Sequence, residues 1–445
     1  MIIKSITIGG FKNLQKTKID LEKIIALVSP NNYGKSNLLE AIEFGINFLT
    51  ASSKQRKSMM AWTKAIPLSP KLAYEDFFFD IELDIPELDD YRFVDYGFTF
   101  SWIRDAGNGQ KITDEWINTR KSESVRYSAL LKRPEGKYRK GYSTNAFRKI
   151  LLDDSQLAID VMASFEDIEI LSVINSLQDI KYRVCSSIDL QDRYTPMPFE
   201  LIDNQDDSYN IFDDADIPRA LFMLKKNHPD KFNLFQDAVF TLFPEFTSIS
   251  VQTFELKDDS PHHFNIRVSE AAPNDSDDSN KEIPFKIKEE MFRLVIKSEY
   301  LNQPINASLM STGTQRVIWL LANIFIASCT DISLIGVEEL EASIHPRLIK
   351  NLLEILLESQ ENTRLIITSH SPLLIQYLKL SQIYVGLPDD GTAQFKRIMD
   401  SKMKTIVKAS RNLEVAPGEY LFELMSGSSD SAQLLEQLLA GPTSE

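Results

Sequence analysis

Residues Ser29-Pro-Asn-Asn-Tyr-Gly-Lys-Ser36 join a short apolar run, Ile24 to Val28, to a stretch with helical spacing, Asn37 to Phe44. A strand that passes directly into a helix through such a loop forms a cradle for phosphate. Its amides point inward, the Lys35 ammonium can reach the β- and γ-phosphates, and the Ser36 hydroxyl can ligate Mg²⁺. The following helix turns its unpaired N–H groups and the positive end of its dipole towards the polyanion. Asn31, Asn32, Gly34, Lys35, Ser36 and Asn37 are the candidate nucleotide-binding residues. One position departs from the pattern G-x-x-x-x-G-K-[ST]. Ser29 stands where glycine is usual, which limits positive φ and adds a side chain near the phosphates.

Two further apolar runs end in chemistry. Ile332-Ser-Leu-Ile-Gly-Val337 stops at Glu338-Glu339. Carboxylates at a strand's end beside a phosphate loop have two jobs in triphosphate hydrolysis, holding Mg²⁺ and orienting or deprotonating the attacking water. Glu338 takes the first role and Glu339 the second. Aspartate is usual at the first position, and the extra methylene of Glu338 is tolerable where a water intervenes. Leu365-Ile-Ile-Thr-Ser-His-Ser-Pro372 repeats the design and delivers His370, whose imidazole can contact the γ-phosphate or the water. His345, before Pro346, reads as a turn or interface residue. The last motif, Leu309-Met-Ser-Thr-Gly-Thr-Gln-Arg316, precedes a strong helix. There Ser311 and Gly313 offer a hydroxyl and a close backbone approach at a helix N-terminus, although capping alone explains Ser311.

The 445 residues allow two or three structural units, and 43% hydrophobic with 25% charged residues describe an ordinary globular chain. No run approaches the roughly 20 apolar residues that span a bilayer. The first residues read as a strand and not a secretory signal, so a cytoplasmic location is expected. Cys185 and Cys329 lie far apart and offer neither a disulfide framework nor a CxxC metal site. The net charge of −15 argues against a broad nucleic-acid surface. Charge is uneven, however: residues 111–150 hold eleven basic against four acidic residues, and residues 153–218 hold three against sixteen. The density from Lys132 to Lys140 is a candidate DNA or RNA contact; a solvated insertion explains it equally well.

Alternating β-rich runs between Phe77 and Arg133 predict an antiparallel meander, and the polar stretch from Ala51 to Pro70 predicts a loop. Helical spacing dominates from Thr144 to Phe243, and the acidic segment 271–282 is too polar to bury. Helix–strand alternation after Leu309 predicts a parallel sheet shared with the phosphate loop and split in sequence by a large insertion. Residues 1–135 and 300–425 are therefore expected to form one α/β domain, a mixed sheet plus an antiparallel β lobe. Residues 136–299 form a mainly helical insertion ending in a β-hairpin, and 426–445 an amphipathic tail.

Taken in order, SPNNYGKSN, LMSTGTQR, LIGVEELEASIHP and IITSHSP resemble the Walker A, signature, Walker B with D-loop, and H-switch motifs of ABC-type P-loop ATPases. The flavour is similar to the RecF, SMC and overcoming-lysogenization-defect (OLD) group, in particular its AAA15/AAA21 branch. The opening Lys4-Ser-Ile-Thr-Ile…Phe11-Lys-Asn13 resembles that branch too. The resemblance implies an ABC-type head that uses ATP and Mg²⁺. It further implies a nucleotide held between two heads, so that Ser311, Gly313 and Gln315 act in trans on a second copy's ATP. OLD-type members carry a TOPRIM nuclease module, for which the residues after His370 offer no acidic set. Stand-alone ATPases of the branch resemble those of anti-phage systems such as PARIS, Septu and retron-linked modules, which implies a separate nuclease or toxin effector. A RecF-like ATPase that clamps DNA when ATP-bound is the second expectation, and a non-hydrolysing scaffold the third.

Overall fold

Five parallel strands and one antiparallel edge strand make the central sheet in a computed structural model of the chain. It describes all residues except 31–32, 105–107, 135–136, 141–147, 150–151, 163–167, 186–192, 196–197, 202–215, 256–261, 267–280, 289, 331, 427–428 and 440–445. Across the sheet the order is Lys181–Cys185, Ile332–Val337, Arg364–Ser369, Ile24–Val28, Ile383–Asp389 and, running the other way, Thr392–Arg397. Ile24–Val28 and Ile332–Val337 are buried at every position. That is the signature of strands covered on both faces, and it is why these runs lack alternation. The ladder sets Val337 opposite Ile367, Ile367 opposite Ala26, and Ser369 opposite Val28. The residues that follow these strands, Ser29, Glu338 and His370, therefore leave the sheet at one edge.

An eight-stranded antiparallel sheet accompanies it, beginning Thr17–Asp20, Ile2–Gly9, Phe77–Asp84, Phe93–Ser101, Lys111–Arg120 and Ser128–Pro134. Here the period is two. Phe77, Phe79, Ile81 and Leu83 turn inward while their neighbours are half-exposed. The helix Lys35–Thr50 lays Phe44 and Phe48 on this face, and Phe48 stacks on Phe98 and Phe100 at 4.9 and 4.7 Å between ring centroids. Aromatic packing of this kind fixes the helix that follows the phosphate loop.

Contacts divide the chain into two compact units, residues 1–186 with 330–342 and 360–445, and residues 187–329 with 343–359. The first holds both large sheets. The second holds the helices Ile217–Asn227, Pro229–Leu242, Thr312–Ala327 and Pro346–Ser359 with two three-stranded sheets. Lys181–Cys185, from the span expected as a helical insertion, is an edge strand of the central sheet, where it pairs with Ile332–Val337. The stretch expected as a loop contains a helix, Ser53–Met59, closed by a capping box in which Ser52 and Gln55 satisfy each other's backbone N–H. Of the acidic segment, 271–280 lies outside the described residues. The tail helix Ser429–Leu438 buries Leu435 and Leu438 and meets its own chain where the Met399 N–H donates to the Leu438 carbonyl at 3.0 Å. Among the described residues no helix is long and apolar enough to cross a membrane.

Part of the basic stretch is structural. Arg133 is buried and donates to Glu115 at 3.1 Å and to the Gln156 carbonyl at 2.8 Å. Glu115, at 0% side-chain exposure, also accepts the backbone N–H groups of Ala158 and Ile159 at 2.6 and 3.2 Å. Arg133 is thereby withdrawn from any nucleic-acid surface, and the side chains of Lys137–Lys140 lie outside the described residues. Burial pushes the Glu115 carboxyl up, against the pull of Arg133 and the two amides. Glu115→Ala strands a buried guanidinium, so denaturant unfolding is expected to show a loss of about 3–5 kcal/mol. A loss below about 1 kcal/mol would mean the network is solvated.

Candidate functional site

Glycine is required where the phosphate loop meets its helix. Gly34 has φ 84° and precedes Lys35–Thr50 with no side-chain cap, so the first-turn N–H groups remain available to an anion. A Cβ there would also press on Ala393 at 3.0 Å and on Oδ1 of Asn13 at 3.2 Å. Asn37 is half-buried and donates to Oδ1 of Asn13 at 2.7 Å, which ties the loop to the first hairpin and spends its amide on the protein. Ser36 is exposed. Asn31 and Asn32 lie outside the described residues.

Ser29 is accommodated without strain. Its backbone is outside the left-handed region, and its Cβ sits where Gly386 of the neighbouring strand leaves room: a Cβ on Gly386 would come within 2.8 Å of it. The glycine missing from the loop is matched by one in the adjacent strand. The Ser29 hydroxyl then accepts a bond from Nζ of Lys35 at 3.2 Å.

Lys35 is 7% exposed, and its ammonium donates to the Ser29 and Pro30 carbonyls at 2.7 and 3.1 Å. Nζ also stands 3.4 Å from Nδ1 of His370. The ammonium's three hydrogens have nearer acceptors in Ser29 and Pro30; where Nδ1 accepts one of them instead, the imidazole proton resides on Nε2. Burial, then the charge of Lys35, pushes the pKa of His370 below its usual value, and the imidazole is neutral at pH 7. A neutral ring with Nε2–H can donate to a phosphate oxygen.

The turn after Ile332–Val337 folds back over this edge. Glu339 adopts φ 45°, a strained conformation for a residue with a side chain, and donates its N–H to Oγ1 of Thr368 at 2.9 Å. Its carboxylate is exposed, while Glu338 is half-buried. Sequence reasoning passed over Glu341, whose Oε1 accepts from the Ser369 hydroxyl at 2.8 Å and from the His370 N–H at 3.0 Å. The third glutamate within four residues was its only signal. Among the described residues no three His, Cys, Asp or Glu side chains form a cation site. A divalent ion would therefore need phosphate oxygens beside Ser36 and Glu338, which is how Mg²⁺ is usually held.

The signature-like segment belongs to the other compact unit. Ser311 caps the helix Thr312–Ala327, is exposed, and accepts the Thr314 N–H at 3.2 Å. Gly313 is needed within its own chain, because a Cβ there would lie 2.3 Å from the Ser343 carbonyl oxygen. Gln315, the third residue expected to act in trans, turns its side chain inward in its own chain. It is 5% exposed, and its amide donates to the Ser308 and Met310 carbonyls at 2.9 and 3.1 Å. Its side chain holds the loop from inside. His345 sits in a turn, with Nδ1 accepting the Arg347 N–H at 3.2 Å.

Residues 1–375 match the model of a family described as an AAA ATPase domain. Comparison with curated proteins gives no match. A solved SMC head bound to the C-winged helix domain of ScpA superposes with a TM-score of 0.50 at 13% identity, covering 91% of this chain and 100% of that one. The SMC head domain from Thermotoga maritima gives 0.45 at 11% identity over 90% and 100%. An Smc head with an extended coiled coil, bound to a ScpA domain derived from Pyrococcus furiosus, gives 0.48 at 13% over 92% and 99%. The first of these superpositions shows a mixed α/β fold of the ABC-type SMC-head kind.

Burial, opposed by Glu339 and Glu341, lowers Lys35 to about 8. A triphosphate needs the ammonium and would raise that pKa on binding, so affinity should fall as pH rises through about 8. Between pH 7 and pH 9, Kd for ATP is expected to rise about tenfold, and Lys35→Arg should flatten the profile because guanidinium stays protonated. Titration with a fluorescent ATP analogue reads both; a flat wild-type profile would remove Lys35 from the phosphate site.

Proposed function

The chain belongs to the AAA ATPase domain family, and from that premise we propose that it binds ATP with Mg²⁺ and hydrolyses it at the edge shared by Lys35, Glu339 and His370. The carrying observation is the Lys35–His370 contact of 3.4 Å, which joins the phosphate loop to a second strand end beside Glu339. Lys35 would exchange its carbonyl partners for β- and γ-phosphate oxygens. Ser36 and Glu338 would hold the metal, which supplies charge neutralisation when bound. Glu339 would take the proton of the attacking water while Nε2–H of His370 donates to the γ-phosphate. Glu339→Gln should lower phosphate release about 10²–10⁴-fold while retaining ATP binding. Equal release by both proteins would favour the non-hydrolysing scaffold.

The finer reading is a head that pairs with a second copy, whose Ser311 closes the nucleotide, and that regulates a separately encoded nuclease or toxin in anti-phage defence. ATP would favour one head arrangement, and the differential affinity of that arrangement for trigger or effector would set the output. What supports it is the family match and the exposed helix-capping hydroxyl of Ser311. Lys35→Ala and Ser311→Arg proteins should each be inactive, and an equal mixture should regain about a quarter of wild-type turnover, since half the dimers hold one intact site of two. An inactive mixture together with a wild type that stays monomeric in ATP would sink the paired site.

A further inference from the structure

The turn carrying the two expected carboxylates continues to a third, Glu341. Oε1 of Glu341 accepts both the Ser369 hydroxyl and the His370 backbone N–H, while Ser369 Oγ accepts the Ser371 N–H at 2.9 Å. Ser369 is wholly buried, while Glu341 and His370 are half-buried. Oε2 of Glu341 is itself buried and has no hydrogen-bond partner among the described residues. A buried carboxylate oxygen left unpaired costs free energy and calls for an explanation beyond holding a turn.

We propose that Glu341 is a positioning residue for His370, a tether by which the metal-binding turn fixes the imidazole against Lys35 and the γ-phosphate. This deepens the hydrolytic reading and rests on it. The bonds to Glu341 go to the backbone and preceding side chain of His370, so they set where the ring starts without using either ring nitrogen. Both nitrogens stay free for Lys35 and for phosphate. Thr368 supplies a second bond between the same two strand ends through the Glu339 N–H, 2.9 Å away. Displacement of the Glu338–Glu339 segment on metal binding would therefore pull on His370 directly.

Glu341→Ala should lower kcat about 10- to 100-fold with Kd for ATP unchanged, the cost of a misplaced group. Glu341→Gln keeps an acceptor oxygen and should stay within about threefold of wild type. In a His370→Ala background, Glu341→Ala should add less than about twofold, because the two act as one unit. The nucleotide-free protein gives an independent readout. With only five histidines in the chain, His370→Ala identifies its imidazole signal in a histidine-labelled NMR spectrum. That signal alone should shift in Glu341→Ala, and by a smaller amount in Ser369→Ala, which serves if Glu341→Ala fails to fold. An unmoved signal, or a full additive loss in the His370→Ala background, overturns the tether. If His370→Ala turns over at the wild-type rate, the reading of His370 in hydrolysis fails instead, and the signal shift then decides the tether by itself.

Discussion

The level ends of three neighbouring parallel strands are the constraint on which this molecule's chemistry depends. Ile24–Val28, Arg364–Ser369 and Ile332–Val337 are adjacent in the sheet, and their pairing brings Ser29, His370 and Glu338 off the same edge. A slip of one residue in either ladder would turn every side chain of a strand to the opposite face. Close packing of differently shaped side chains on the two buried faces opposes such a slip. The side-chain bonds from Thr368 and Glu341 then lock the ends beyond the ladder, where backbone pairing no longer reaches.

Lys35 shows what that edge costs. Burial of an ammonium favours losing its proton, and here that effect exceeds the pull of Glu339 and Glu341. The charge is retained at neutral pH because the pKa, supported by Glu339 and Glu341, stays at about 8; the ammonium meanwhile donates to loop carbonyls and the Ser29 hydroxyl. These acceptors are uncharged, so a phosphate oxygen offers Lys35 a stronger partner than any it holds in the free protein. Burial, and then the same charge, lower the pKa of His370. The loop and the third strand are thus electrostatically linked elements of the site.

Much of this was legible from residues alone. Unbroken apolar runs announced the buried strands, and turn chemistry announced the loop. What stayed hidden depended on neighbours across the sheet. Ser29 looked like a defect until Gly386, more than 350 residues away, proved to supply its space. Lys181–Cys185 alternates polar residues with Tyr182 and Val184, a strand pattern too short to stand out within a span read as helical, and it pairs with Ile332–Val337. The capping box at Ser52 was visible as Ser-x-x-Gln but was outweighed by the polarity of its surroundings. Gln315 sits in a motif where an outward role is natural, and three inward-facing carbonyls are what its amide reaches instead.

The signature segment resolves an apparent conflict between capping and ligand binding. Ser311 accepts the Thr314 N–H through a lone pair, and Thr314 Oγ1 lies 2.8 Å from the same oxygen. A hydroxyl carries two acceptor positions and one proton, so the cap consumes acceptance and leaves donation free whenever Thr314 donates its own hydroxyl hydrogen. A phosphate needs only a donor. The helix end could therefore stay capped if its serine served an anion. Gly313 stays packed on the Ser343 carbonyl and has no Cβ to obstruct such an approach. Capping and the phosphate contact proposed for Ser311 are thus compatible, since acceptance by the oxygen does not use the hydroxyl hydrogen.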